Sequence, residues 1–421
     1  MSPHKGVPPV MALADDLSGA AEAAALLRLP VLLALDPAQA PSAGDGEAVV
    51  VDLDSRHVPG AAAAEAVRTA SAGRPDGVTW YKKSDSLLRG NVGAEAVAYA
   101  EGARAVVTAM ALPVAGRVVR GGVVHVDGVP LHESGAWRAE ERAAPRSVAE
   151  ALAPLPTAGV PLDAVRRGPR ALAGELAAVA ARGRHPVCDA ETDTDLDLIV
   201  GAALLLGPEY RLSGSGGLAA ALGRRIGTTA PEADTGATDR PLLVVAGSAE
   251  PGIVAQIARL KALGAHHLPL APEELTDAAP VPLPPLTSDG VTVLSIDGSG
   301  GIRPGTARRL VAGLARTVAA LDGAPDLVLT GGETARRVLD ATGITSLRPV
   351  GEIHHGAVHS RTADGRSVVT RPGSFGGPDS LHRIATALRP HLPSPSPVSP
   401  ASPASPASPT ASASSSQGVT P

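Results

Sequence analysis

The chain has 421 residues, 44% hydrophobic and 19% charged, with a net charge of -5 and a single cysteine. That length supports more than one core, and a nearly balanced, well-mixed charge excludes the positive field that holds nucleic acid. One cysteine excludes an intramolecular disulfide framework and a multi-cysteine metal site, so a reducing cytoplasm is the expected compartment.

With one Phe, two Trp and three Tyr, the core must be built from Val, Leu, Ile and Ala, which suits parallel strands under Ala-rich helices. The opening "MSPHKGVPPVMALADD" reaches two aspartates before any long apolar stretch, and nothing later offers 18 uninterrupted apolar residues. Neither a signal-peptide core nor a membrane span is expected.

The first predicted strand lies in "VPPVMALA", followed by a helix over about residues 17–29. "VLLAL" and "AVVVDLDSR" read as the next strands, then a helix over 61–70, then a strand in "VTWYKK". This is the rhythm of an α/β domain. "GGVVHVDGVPLHES" alternates and turns at Asp127-Gly128, which predicts a β-hairpin set into that domain. "HPVCDAET" with "DLDLIVGAALLL" predicts one more strand and helix, placing Cys188 in the core rather than as a nucleophile. "GSGGLA" matches a dinucleotide-binding pattern, but no strand ending in an acid follows about 20 residues later, so it reads as a helix start.

"GTTAPEADTGATDRP" loses hydrophobic periodicity, as a linker does. "PLLVVAGS", "VTVLSIDGS" and "DLVLTGG" then restart the strand-helix rhythm, interrupted by a Pro-rich surface loop, "APEELTDAAPVPLPPLTSDG". From about Leu392 a Ser/Pro/Ala repeat cannot offset the entropy of ordering and is read as disordered. The expected fold class is therefore α/β: two α/β domains with mainly parallel sheets, residues 1–228 and 241–391, joined by a linker at 229–240. A disordered tail over 392–421 follows, and an active-site cleft lies between the domains.

In parallel α/β sheets ligands bind beyond the carboxyl ends of the strands. There the first domain places Asp15 and Asp16, then Asp52, Asp54, Ser55 and Arg56, then the stretch "YKKSDSLLRGNVGAE". Consecutive aspartates leaving a buried strand must pair, hold a cation or meet a ligand; capping the next helix accounts for one of them. Alternation lets only one of Lys82 and Lys83 share the aspartates' face. Arg89, Gly90 and Asn91 open a helix whose free N–H groups favour an anion. The second domain's strand ends, "AGSAEPG", "DGSGG" and "TGGETARR", and the later "RPGSFGGPDS", supply glycine-rich turns that admit a polyphosphate. His355 and His359 are four apart, but Gly356 and the Val/Ala alternation argue against a helix and hence against a metal pair. No Walker-type phosphate loop is present in the sequence. Phosphoryl transfer across the cleft, with Mg²⁺ and an acid orienting the attacking hydroxyl, fits both halves.

Nine segments in order, "ADDLSGA", "VVDLDSR", "YKKSDSLLRGNVGAE", "GRVVRGGVVHVDGVPLHES", "VCDAETDTDLDLI", "GSGGLA", "VVAGSAEP", "LTGGETARRVL" and "GSFGGPDSL", resemble the four-carbon acid sugar kinase family from about Val10 to Leu388. The resemblance implies an N-terminal sugar-acid domain, a C-terminal nucleotide domain, and ATP-dependent phosphorylation of the terminal hydroxyl of a 3-oxo-tetronate, threonate or erythronate. It places Asp15, Asp16, Asp54, Arg56, Lys82, Asp85 and Arg89 on the sugar-acid side, and Ser248, Gly331, Gly332, Glu333, Thr334, Gly373 and Gly376 around ATP. The expected catalytic set is Asp16, with Asp15 as the alternative base, and Lys82 and Arg89; Asp54, Ser55, Arg56, Lys83, Asp85 and Asn91 are the expected substrate contacts. No metal ligands are assigned. The sequence departs from the family pattern at Ser18 and Leu87, where threonine is usual, and at Arg371-Pro372-Gly373, where Lys-Ser-Gly is common; arginine keeps the charge and proline removes an amide donor. A non-catalytic sensor of the same fold and a kinase of another small hydroxy acid are the alternatives. The partners expected are small molecules, with no nucleic acid and no membrane, and a homo-oligomer is compatible with the chain.

Overall fold

Short runs of Val, Leu and Ala make the strands. Val10–Ala14, Ala48–Asp52, Ala105–Ala109, Leu242–Ala246 and Asp326–Thr330 are buried along their whole length, as strands covered by helices on both faces must be. The computed structural model describes residues 6–138, 140, 142–227, 238–247, 251–287, 290–298, 306–373 and 376–392. Ser248, residues 229–237 of the expected linker and residues 393–421 of the expected tail lie outside these.

One 15-stranded sheet runs through both halves. From edge to edge its strands are His266–Leu270, Val291–Ile296, Leu242–Ala246, Asp326–Thr330, Ser367–Arg371, Ala357–Arg361, Ser346–His354, Val31–Ala34, Ala48–Asp52, Val10–Ala14, Thr79–Lys83, Tyr210–Gly214, Ala105–Ala109, His185–Cys188 and Thr157–Val160. All neighbours pair in parallel except at the middle, where Ala357–Arg361 and Ser346–His354 are antiparallel to their neighbours on both sides. Ser346 and Leu347 pair with Ala34 and Leu33, which joins the halves. Three antiparallel steps reverse strand direction between the two halves, yet carboxyl ends from both meet at Asp16 and Gly332. The helix Leu17–Leu26 bridges the halves, touching Val10–Ala14 on one side and Gly332–Ala341 on the other.

The expected hairpin is a separate three-stranded antiparallel sheet, Arg117–Arg120, Val123–Val126 and Val129–Pro130. It turns at Gly121-Gly122 as well as at Asp127-Gly128, because Gly121, Gly122, Asp127 and Gly128 all supply left-handed backbone. "GSGGLA" does start a helix, Gly216–Ile226, with Ser215 as its cap. Cys188 is fully buried, and burial pushes its thiol up. The Pro-rich loop contains one short helix, Pro272–Thr276. No helix among the described residues is long and apolar enough to cross a membrane.

Candidate active site

Register decides which side chains meet. Ala14, the last residue of its strand, lies beside Asp52 on one side and Lys83 on the other. Asp15, Asp54, Arg56 and the turn after Lys83 therefore leave the sheet at one edge.

Asp16 caps the helix Leu17–Leu26, accepting a hydrogen bond from the Gly19 amide at 2.9 Å. It also takes both guanidinium ends of Arg56, at 2.9 Å each, while Arg56 Nε donates to Asp15 Oδ2 at 2.7 Å. Capping thus accounts for one aspartate and a shared arginine for both. Burial opposes ionisation of each, with different outcomes. At Asp15 the charges of Arg56, Lys82 and Lys83 outweigh burial and hold the carboxyl below its ordinary range. At Asp16 burial, reinforced by the Asp15 charge, outweighs Arg56 and Lys83 and raises it. Asp15 Oδ1 is buried and has no hydrogen-bond partner, and the same is true of Ser18 Oγ.

From the other half, Gly331 sits at φ +94°, a conformation that favours glycine, and starts the helix Gly332–Ala341. A Cβ on Gly332 would lie 3.0 Å from Asp16 Oδ2 and 3.1 Å from Ser18 Oγ, so the helix N-terminus faces the aspartates directly. Gly331 N donates to the Arg371 carbonyl at 2.9 Å. Arg371 is almost wholly buried, donating to Gln256 Oε1 at 2.6 Å, Ser380 Oγ at 2.9 Å and the Gly373 carbonyl at 3.2 Å. Burial pushes it down to about 10. The departure Arg371-Pro372 thus still forms a bonded turn beneath Gly373. Thr334 is buried against Gly247, and Gly376 packs on Ser380.

Two cavities flank the Asp16–Arg56 pair. One, of about 320 Å³, is lined by Asp15, Asp16, Asp54, Arg56, Arg308, Glu333 and Arg337 among others. The second, of about 360 Å³, is lined by Asp16, Ser18, Glu22, Arg56, Lys83, Asp85, Ser86, Arg89, Arg117, Pro372 and Gly373. Asp16, Arg56 and Gly332 belong to both. A larger apolar cavity of about 430 Å³, between the helix Pro251–Ala262 and the strand His266–Leu270, shares no lining residue with either.

Alternation separates the two lysines. Lys83 lines the second cavity and pairs with Glu22 at 3.2 Å. Lys82, expected as catalytic, points the other way into a buried pair with Glu95 at 2.7 Å, and lines neither cavity. Ser55 and Asn91, expected as substrate contacts, are also engaged in the frame: Ser55 Oγ donates to Glu95 Oε1 at 2.6 Å, and Asn91 Nδ2 donates to the carbonyls of Ser55 and Val58 at 2.8 Å. Asp85 accepts from Arg89 Nε and Nη2 at 2.8 Å; burial would raise its carboxyl, but the Arg89 bonds and the Arg56 charge hold it well below the usual range. Asp54, at φ +47°, pairs with Arg337, and the fully buried Asp52 pairs with Arg336 at 2.8 Å.

A model of a sugar-binding N-terminal domain matches residues 10–222, and one of a nucleotide-binding C-terminal domain matches residues 288–381. A D-threonate kinase of Cupriavidus necator is 34% identical over 88% of this chain and 95% of its own length. This chain belongs to the four-carbon acid sugar kinase family. A 3-oxo-tetronate kinase of the same organism is 30% identical over 90% of this chain and 97% of its own. A crystal structure of a Haemophilus influenzae protein shares the fold, with TM-score 0.69 and 21% identity, covering 90% of this chain and all of the other.

Within this four-carbon acid sugar kinase the sequence reading missed several residues that line or brace the cavities. Glu22 is one helical turn beyond Ser18, and that spacing could have found it. Arg336 and Arg337 end the quoted "TGGETARR", but the acids they reach in the other half, Asp52 and Asp54, lie 284 and 283 residues away, and no local signal links them. Arg117 was inside a segment quoted for the family resemblance and was given no role of its own.

Proposed function

We propose that this protein transfers the γ-phosphoryl group of ATP to the terminal (4-) hydroxyl of a four-carbon sugar acid, a threonate, an erythronate or a 3-oxo-tetronate. The observation that carries this reading is the approach of Gly332 to Asp16: an acid from the sugar-side half meets a helix N-terminus from the nucleotide-side half, and cations line the cavity beside them. Residues 1–228 bind the sugar acid in this reading, and 241–391 bind the nucleotide.

Each residue's part follows from its surroundings. Asp16, with its raised carboxyl, accepts the proton of the attacking hydroxyl as the new O–P bond forms and the bond to the leaving ADP breaks. Arg56 holds Asp15 and Asp16 in place and offsets their mutual repulsion. The free N–H groups at Gly332 and the unpartnered Ser18 hydroxyl receive phosphate oxygens, favoured by the helix dipole. Lys83 and Arg89 supply positive charge to the acid side. Gly331 and Gly373, without side chains, let the nucleotide phosphates approach the backbone.

Mg²⁺ fits the donor set. Asp15 Oδ1 is a free, buried, hard oxygen, and Mg²⁺ commonly takes one or two carboxylates plus substrate phosphates. Among the described residues there is no group of three or more His, Cys, Asp or Glu that could hold a metal by itself. When bound, the ion would neutralise charge on the transferring phosphate.

ADP release with ATP and Mg²⁺, measured across D-threonate, L-threonate, D-erythronate, 3-oxo-tetronates and longer aldonates, tests the proposal. Turnover with a four-carbon acid is expected. Ligand-dependent closure with no ADP formed would favour the sensor alternative, and turnover only on a longer acid would move the substrate class.

A further inference from the structure

Four cations line the second cavity: Arg56, Lys83, Arg89 and Arg117. Three are matched by acids, Arg56 by Asp15 and Asp16, Lys83 by Glu22, and Arg89 by Asp85. Arg117 is not. Among the described residues no carboxylate lies within ion-pair distance of it; its Nη1 donates to Ser86 Oγ, and its Nε is buried with no hydrogen-bond partner. A buried guanidinium N–H left without an acceptor is costly and rare, so an acceptor from outside the chain belongs there.

The position suits a particular acceptor. Asp16, Arg56 and Gly332 line both cavities and mark the end where the halves meet, whereas Arg117 and Ser86 line only the second. A four-carbon acid carries a hydroxyl at C4 and an ionised carboxylate at C1. With the hydroxyl at Asp16, the carboxylate needs a cation that is not already committed, and an arginine fork is the best match for it. The Arg117 backbone is held ready: its N–H donates to the Leu112 carbonyl at 3.1 Å and its carbonyl accepts from Leu112 N at 2.8 Å. Burial lowers its pKa, with the Asp85 charge offsetting only part of that, as expected of a cation that still lacks its anion.

We propose that Arg117, presented by the small three-stranded sheet and steadied by Ser86, grips the C1 carboxylate of the substrate and makes the site select acids over polyols and amides. This rests on the function proposed above and adds the residue that reads the acid.

The test compares wild type with Arg117→Met and Arg117→Lys on D-threonate, D-erythronate and their C1 amides, by initial rates of ADP formation and by titration calorimetry. Arg117→Met is expected to weaken the preferred acid by about 30-fold or more in KM and Kd. The KM for ATP should change less than about twofold and binding of the amide less than about threefold, so that the acid-over-amide preference collapses. Arg117→Lys should give an intermediate loss confined to the acid. Equal losses on acid and amide, or no loss, overturn the proposal. If Arg117→Met does not fold, Arg117→Lys carries the same comparison under the same criteria. If the wild type forms no ADP with any four-carbon acid, the kinase reading fails by itself and calorimetry still decides this one. Binding of the acid that the Arg117 variants lose supports the anchor; binding they retain, or no binding to the wild type, overturns it.

Discussion

Gly332 stands against Asp16 so closely that a Cβ on the glycine would come within 3.0 Å of Asp16 Oδ2. The two residues are far apart in sequence and lie at the carboxyl ends of strands from opposite halves of the sheet. Gly332→Ala should therefore fold and still bind ATP, because its backbone is not left-handed, but displace the carboxylate or the helix end. A misplacement of about 1 Å at a transfer site can cost about 10²-fold in rate, and the few tenths of an ångström required here should cost a smaller part of that. Steady-state kinetics should show kcat reduced with the KM for ATP little changed. An unchanged kcat would mean the approach has no part in transfer.

Asp16→Asn keeps the shape and removes the proton acceptor, so kcat is expected to fall by about 10²-fold or more. ATP affinity, read by calorimetry, should hold. Near-normal turnover would move the role of base to Asp15, whose carboxyl is held below its ordinary range.

The adjacent lysines should behave differently. Lys82 is 2% exposed and paired with Glu95, and breaking a buried pair costs about 3–5 kcal/mol. Lys82→Met is expected to lower the melting temperature while the surviving folded enzyme keeps its KM for the acid. Lys83→Met should leave melting less affected and raise that KM. The reverse pattern in thermal denaturation and kinetics would invert the two assignments.

These lysines also show what was legible in the sequence. Period-two alternation predicted that only one faces the aspartates, but not which, since that depends on the register with Val10–Ala14. The strand ends were readable because charge leaving an apolar run is expensive, which brought Asp15, Asp16 and Arg56 to notice. Ser55 and Asn91 sit in the same stretches and instead brace the loop through Glu95 and backbone carbonyls, a distinction made only by packing. The strands Ser346–His354 and Ala357–Arg361, which join the halves, carry mixed polar residues and turn at Gly356. The pairing of Ser346–His354 with Val31–Ala34 is a contact across the whole fold that no local pattern announces.

Asp52 should make stability depend on pH. Burial pushes its carboxyl up to about 7, with Arg336 offsetting only part of the penalty. A carboxyl raised on folding contributes stability that is fully present below its unfolded pKa and is lost as pH rises through the folded value. Melting temperature should therefore fall as pH rises from about 4 to 7 and level off above that, and Asp52→Asn should flatten that slope. A steeper slope in the variant would contradict the assignment.

The most direct test of phosphoryl transfer where Asp16 meets Gly332 is a single turnover with γ-labelled ATP, Mg²⁺ and D-threonate or D-erythronate, with the product's phosphate position read by NMR. The account predicts one label per site on the C4 oxygen, lost in Asp16→Asn while ATP stays bound. Label on another oxygen, or only inorganic phosphate from an enzyme that binds both ligands, would contradict it.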